Sequence, residues 1–178
     1  MTFNLNSHAV PDEIWNALDR LTDPEIPVIT LREMGIIRSV EQTMDDVVVV
    51  TITPTYSGCP AMEQIRDDIS STIKAIGRQV EVRTQLAPAW TTDWMTEIAK
   101  NKLKQYGIAP PNRQCGVTPE QTSVIHFMRK PLDSQSNVEC PRCGSTQTLE
   151  SSHFGSTACK ALYKCLNCQE PFDYFKPY

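Results

Sequence analysis

The chain has 178 residues, of which 17 are Lys or Arg and 21 are Asp or Glu, for a net charge of −4. That mild acidity argues against nucleic acid or an anionic membrane surface as partner, because both need clustered positive charge. A hydrophobic share of 40% with 21% charged residues fits a folded globular protein. The longest uninterrupted apolar run, Val47–Val50, is far short of the roughly 20 residues of a spanning helix. Residues 1–10 are polar and lack the basic-then-apolar pattern of a secretory signal, so a cytoplasmic protein is expected.

Pro11-Asp12-Glu13 followed by Ile14, Ala17, Leu18 and Leu21 predicts a first helix, with proline and acids in its first turn and apolar residues on one face. Asp23-Pro24-Glu25-Ile26-Pro27 then stops it. Residues 36–42 and 46–53 read as two strands joined by a hairpin at Thr43-Met44-Asp45, the second rich enough in valine to be covered on both faces. Met62, Ile65, Ile69, Ile73 and Ile76 mark one face of a helix that starts near Pro60 and ends at Gly77. Val80, Val82, Thr84 and Leu86 alternate as a third strand, and Met95, Ile98, Ala99, Leu103 and Tyr106 predict a last helix ending at Gly107. The order is αββαβα, an α/β (α+β) domain over residues 1–108 with a three-stranded mixed sheet. The helical crossover makes its second and third strands parallel. Residues 109–137, rich in Pro, Gln, Asn, Ser and Thr, read as a linker with one short strand at 124–128, and residues 138–178 form a β-rich, cysteine-rich module.

Seven cysteines are an odd number in a chain without an export signal, which disfavours a disulfide scaffold. Cys140-Pro141-Arg142-Cys143 and Cys165-Leu166-Asn167-Cys168 are two knuckles separated by 21 residues. Four thiolates suit a tetrahedral Zn²⁺, and an iron site or iron–sulfur cluster uses the same ligands. A forty-residue unit buries too little to fold unaided, so the metal is expected to stabilise it. The intervening residues suggest a hairpin of 146–151 with 158–164. Cys159 lies six residues before Cys165 on the same strand, about 20 Å away at ~3.3 Å per residue, so it should not ligate the same ion. It is either a packed cysteine or part of a second, labile site, and the lone His153 reads as a surface or packing residue. Basic and acidic residues balance in this module, so its aromatic tail, Phe172, Tyr174, Phe175 and Tyr178, is expected to meet protein rather than nucleic acid.

Cys59 sits in Thr53-Pro54-Thr55-Tyr56-Ser57-Gly58-Cys59-Pro60, between a buried strand and an amphipathic helix. With Pro60 as the first helical residue, Cys59 becomes the N-cap, where unpaired N–H groups favour a thiolate. The plain alternative is a small cap in a tight turn. No local histidine supports a papain-like hydrolase and no second cysteine follows at thioredoxin spacing, which leaves metal or cluster handling.

Asp23-Pro24-Glu25-Ile26-Pro27, Gly35-Ile36-Ile37, Thr51-Ile52-Thr53, Gly58-Cys59-Pro60 and Trp90-Thr91-Thr92-Asp93-Trp94-Met95 together resemble the iron–sulfur assembly domain shared by SufT and the cytosolic cluster-targeting factors, over about residues 10–108. With a ribbon carrying Phe154-Gly155-Ser156-Thr157-Ala158-Cys159-Lys160 and Pro171-Phe172-Asp173-Tyr174-Phe175-Lys176, the whole chain resembles the PaaD family of phenylacetate degradation. That resemblance implies an accessory factor, rather than an enzyme, for the multicomponent ring-1,2-phenylacetyl-CoA epoxidase, although such a protein can be catalogued as an oxygenase subunit. It places the functional thiol at Cys59 with Asp23 and Glu25 beside it, for a transient iron or iron–sulfur cluster completed across a homodimer. Oxygenase or reductase components are the implied partners. The alternatives are a non-catalytic structural subunit of the complex and, more remotely, a nucleic-acid-binding ribbon regulator. The chain has no paired Glu-x-x-His motifs for a di-iron bundle and no flavin fingerprint.

Overall fold

The computed structural model describes residues 10–112 and 138–178; Cys115 and the strand expected at 124–128 lie outside them. The chain divides into two compact units, residues 1–102 with Tyr178, and residues 103–177. No helix among the described residues is long and apolar enough to cross a membrane.

The first unit opens with α1 (Asp12–Leu18), whose Ile14 and Leu18 are buried and whose first turn carries Asp12 and Glu13. Strands β1 (Ile37–Gln42) and β2 (Val47–Ile52) form an antiparallel hairpin, with Asp46 at φ 62 in the turn. Val48, Val49, Val50 and Ile52 are all buried, so β2 is covered on both faces as its valine run predicts. α2 (Ala61–Ala75) buries Ile65, Ile69 and Ile73. It ends where Gly77 at φ +78 donates to the Lys74 carbonyl and Arg78 to the Ile73 carbonyl, a Schellman closure that satisfies the last carbonyls. β3 (Gln79–Thr84) lies parallel to β2 in the order β1-β2-β3.

The details differ from the sequence reading at four exposed apolar positions. Leu86 lies beyond β3 and is 60% exposed, Ile76 caps α2 and is exposed, and Ile98 and Tyr106 of α3 (Glu97–Tyr106) are 60% and 52% exposed. The buried positions of α3 are Ala99 and Leu103, four apart, while Met95 is buried ahead of the helix, after a 3-10 turn at Thr92–Trp94. Single exposed apolar residues are normal on a protein surface, and periodicity alone cannot distinguish them from the core.

The second unit is a four-stranded sheet in the order β4-β7-β6-β5. β5 (Thr148–Ser152) and β6 (Lys160–Cys165) make the expected hairpin shifted by one or two residues, and β7 (Pro171–Phe175) pairs antiparallel with β6. β4 (Ile108–Ala109), placed by the sequence reading at the domain end and linker, pairs parallel with β7. The core of this unit is Ala109, Val138, Cys140, Ala161, Tyr163, Cys165, Phe172 and Tyr174, with Tyr163 packed edge-on to Tyr174 at 5.4 Å. Three of the four residues of the aromatic tail are not available as a contact edge: Phe172 and Tyr174 alternate inward on a strand and Phe175 is fully buried. Tyr178, which belongs to the first unit, stays exposed and packs edge-on to Trp90.

Candidate metal centre

Each Cys-x-x-Cys segment folds as a knuckle, and the two are built alike. In the first, Cys140 N–H donates to the Ser145 carbonyl at 2.9 Å; in the second, Cys165 N–H donates to the Glu170 carbonyl at 3.0 Å. A left-handed residue follows the second cysteine of each, Gly144 at φ +74 and Gln169 at φ 65. That turn aims backbone N–H groups back at the sulfurs, Ser145 at Cys143 and Glu170 at Cys168.

The four sulfurs lie within 4.8 Å of one another. Cys140 Sγ is 3.8 Å from Cys168 Sγ, and Cys143 Sγ is 3.6 Å from Cys165 Sγ. Metal–sulfur bonds of ~2.3 Å in a tetrahedron require sulfur–sulfur edges of about 3.8 Å, so the donor set fits one tetrahedral ion such as Zn²⁺. Cys140 and Cys165 are buried, Cys168 half-buried and Cys143 exposed.

The charge balance of this cluster favours a cation. The Ser145 N–H, helped by the Cys165 and Cys168 thiols and by Asn167, lowers the Cys143 thiol to about 6. The Glu170 N–H favours a thiolate at Cys168, but desolvation and the neighbouring Cys165, Cys143 and Cys140 sulfurs push that thiol up to about 12. The thiolate therefore forms readily at Cys143, while one at Cys168 is opposed by the neighbouring sulfurs. A divalent ion held by the four sulfurs would remove that opposition.

Cys159 is not a member of the four-sulfur group. It is buried ahead of β6, with its sulfur 3.0 Å from Thr157 Oγ1. His153 is exposed, its Nδ1 3.0 Å from Glu150 Oε1.

In the first unit, the loop from β2 to α2 leaves the sheet at Thr53. The Thr53 hydroxyl is buried without a hydrogen-bond partner among the described residues. Cys59, half-buried, donates its N–H to the Tyr56 carbonyl at 3.1 Å, and its own carbonyl accepts the Met62 N–H at 3.4 Å. Pro60, with helical dihedrals of φ −69 and ψ −22, is itself the N-cap of α2, so Cys59 lies one residue before the cap and not at it as the sequence reading expects. Asp23 is buried, and its Oδ1 accepts the N–H groups of Glu25 and Ile26, both at 2.9 Å. That carboxylate builds the Asp23-Pro24-Glu25 turn. Among the described residues, the ribbon cysteines are the one group of three or more His, Cys, Asp or Glu side chains with ligand atoms close together. Asp23, Glu25 and Cys59 form no such group.

Sequence reasoning missed the backbone donors Ser145 and Glu170 and the participation of β4. Only Gly144 carried a signal, as the glycine of Cys-x-x-Cys-Gly; Gln169 occupies the equivalent place with a residue that ordinarily avoids positive φ.

Comparison with known proteins covers both units. Residues 11–84 match the iron-sulfur cluster assembly protein family, and residues 126–176 match the PaaD zinc beta ribbon domain. The chain is 48% identical over 165 residues to an Escherichia coli K12 protein provisionally named as a subunit of 1,2-phenylacetyl-CoA epoxidase, covering 92% of this chain and 91% of that one. It is 32% identical over 94 residues to an Fe-S protein maturation auxiliary factor of Porphyromonas gingivalis, covering 52% and 89% of the two. A crystal structure of a domain of unknown function from Bacillus anthracis aligns with 25% identity over 52% of this chain and 89% of that chain, with a TM-score of 0.48.

Proposed function

The chain belongs to the PaaD family, and from that premise we propose that it is an accessory factor, itself without catalytic activity, for a phenylacetyl-CoA epoxidase. It assists assembly of an iron or iron–sulfur centre in an oxygenase or reductase component. The observation that carries this reading is the match of residues 11–84 to iron-sulfur cluster assembly proteins, with Cys59 at a strand-to-helix junction inside it. Ligands of open α/β sheets gather at the carboxyl ends of strands, where the Cys59 loop begins. Cys59 is the residue that would take the cargo. One thiol cannot complete a coordination shell, so the remaining ligands come from donor or client. Asp23 holds its own turn through the Glu25 and Ile26 N–H groups.

In the second unit, Cys140, Cys143, Cys165 and Cys168 would hold a structural zinc. Their spacing supports one ion over a cluster, since a cluster spreads its cysteines over several irons. Zinc here supplies folding energy to a small unit.

The test is Cys59→Ala in the full chain, purified anaerobically. The variant should keep wild-type folding and zinc content, lose the iron-dependent absorption of the loaded protein, and fail to activate the epoxidase. Normal activation by Cys59→Ala would remove the thiol from the mechanism. A second reading, a structural component of the epoxidase complex, is favoured by the name of the Escherichia coli relative. Co-purification with active enzyme at fixed stoichiometry would favour it over transient assistance.

A further inference from the structure

We propose that β3 is a self-complementary edge through which two copies of this chain pair, in a single register chosen by Glu81 and Arg83.

β3 is the last strand of the β1-β2-β3 sheet, and no described strand pairs with its outer side. The opposite edge, β1, is interrupted by a bulge between Ile37 and Ser39, whereas β3 pairs with β2 without a shift over all six of its residues. It contains neither proline nor glycine. It is therefore a regular template for another strand.

The direction of its free backbone groups follows from one hydrogen bond. Gln85 N–H donates to the Ile52 carbonyl at 2.9 Å, toward β2. Alternation then turns Arg83, Glu81 and Gln79 toward β2, and it turns the N–H and C=O of Val80, Val82 and Thr84 outward. A second copy approaching antiparallel about a two-fold axis can place Val82 opposite Val82, with Val80 opposite Thr84 on either side. Each of these pairs exchanges both hydrogen bonds.

Charge selects that register. Between the bonded pairs stand Glu81 and Arg83 opposite Arg83 and Glu81 of the second copy, in the non-bonded geometry where side chains approach most closely. Sliding by two residues one way sets Glu81 against Glu81, and sliding the other way sets Arg83 against Arg83. Both shifts also leave outward backbone groups unpaired. In the single chain, Arg83 already forms two hydrogen bonds to Glu81, at 2.8 and 2.9 Å, on an exposed face. Opposite charges two residues apart on one face are what a two-fold edge requires, because each residue meets its complement across the axis.

The pairing has a consequence for the Cys59 site. β2 and β3 are parallel, so the Cys59 loop lies at the rim where both strands end. Antiparallel pairing puts the two rims at opposite ends of the joined sheet. Such a dimer carries two separate thiol sites and does not bridge one cargo between them. This pairing does not depend on the Cys59 reading.

The test is sedimentation velocity on the full chain from micromolar to near-millimolar concentration, with Arg83→Glu, Glu81→Arg and the doubly exchanged chain. Wild type should dimerise with concentration. Each single reversal should weaken association about tenfold, since the symmetry applies every change twice. The double exchange should restore it, and an equimolar mixture of the two single variants should form a mixed dimer. Circular dichroism should show all variants folded, because both side chains are exposed. A wild-type monomer throughout the range would overturn the proposal, as would a dimer indifferent to either reversal.

Discussion

Gly144 and Gln169 occupy the same place in the two knuckles, each the left-handed residue after the second cysteine, at φ +74 and φ 65. The bend they make returns the N–H groups of Ser145 and Glu170 to the sulfurs. Left-handed backbone costs an L-residue about 1–2 kcal/mol, and glycine avoids that cost. Gly144→Ala should therefore lower the stability of the zinc-loaded chain by about 1–2 kcal/mol. Gln169→Ala loses only an exposed hydrogen bond to the Leu166 carbonyl and should change stability by no more than about 0.5 kcal/mol. Thermal unfolding of both variants checks the contrast; equal losses would mean that the two knuckles are not strained alike.

Gly35 is fixed by a different constraint. It sits at φ +76, and a Cβ there would lie 2.7 Å from the Trp94 carbonyl oxygen and 2.8 Å from Trp94 Cβ. Around this approach Trp90 Nε1 donates to the Met34 carbonyl at 3.1 Å, and the Arg38 guanidinium stacks 3.4 Å from the Trp94 ring. Gly35→Ala combines backbone strain with a collision against main chain, and about 2–4 kcal/mol should be lost. Urea unfolding of the full chain measures it, and a loss below about 0.5 kcal/mol would show that the Trp94 segment yields.

The Trp94 contact shows what a sequence can and cannot disclose. Helical and strand periodicity located α1, β1, β2, α2, β3 and α3, because each carries a patterned run of apolar residues. The ribbon's four-cysteine group was legible because two knuckles at this spacing leave few other uses for four thiols. Partners distant in sequence were not legible. β4 is two residues long and carries no periodicity, so its pairing with β7 had no signal. The aromatic tail read as a protein-contacting edge from the balance of charge around it; only the packing of Tyr163 against Phe172 and Tyr174 reveals these two as core.

Glu33 closes a reciprocal cap that the sequence reading passed over. Its Oε2 accepts the Thr30 N–H at 2.9 Å, its own N–H donates to Thr30 Oγ1 at 3.1 Å, and Lys102 Nζ lies 2.7 Å from Oε1. Burial alone would raise its pKa. The Lys102 ammonium and the two Thr30 donors outweigh burial and hold the carboxyl below the ordinary value of 4.5. A carboxylate with a depressed folded pKa stabilises fully above its unfolded value, and the contribution is lost as pH falls through the folded pKa. Glu33→Gln should lose about 1 kcal/mol at neutral pH, with the Lys102 pair discounted for its solvent exposure. It should also flatten the decline of stability below about pH 4.5. Parallel acid limbs for wild type and variant would place the titration elsewhere.

Thr53 carries the opposite kind of polar group, a buried hydroxyl without a partner among the described residues, at the point where β2 gives way to the Cys59 loop. A hydroxyl removed from water and left without a hydrogen bond costs about 1–3 kcal/mol, and valine fills nearly the same volume without that cost. The Thr53 N–H donates to the Ile36 carbonyl at 2.9 Å, a bond that valine keeps. Thr53→Val should therefore raise stability by about 1–2 kcal/mol, whereas Thr53→Ser, which keeps the hydroxyl and opens a methyl-sized gap, should lower it by about 1 kcal/mol. Denaturant unfolding of both variants separates packing from hydrogen bonding at one position. A destabilised Thr53→Val would show that the hydroxyl finds a partner in the folded protein.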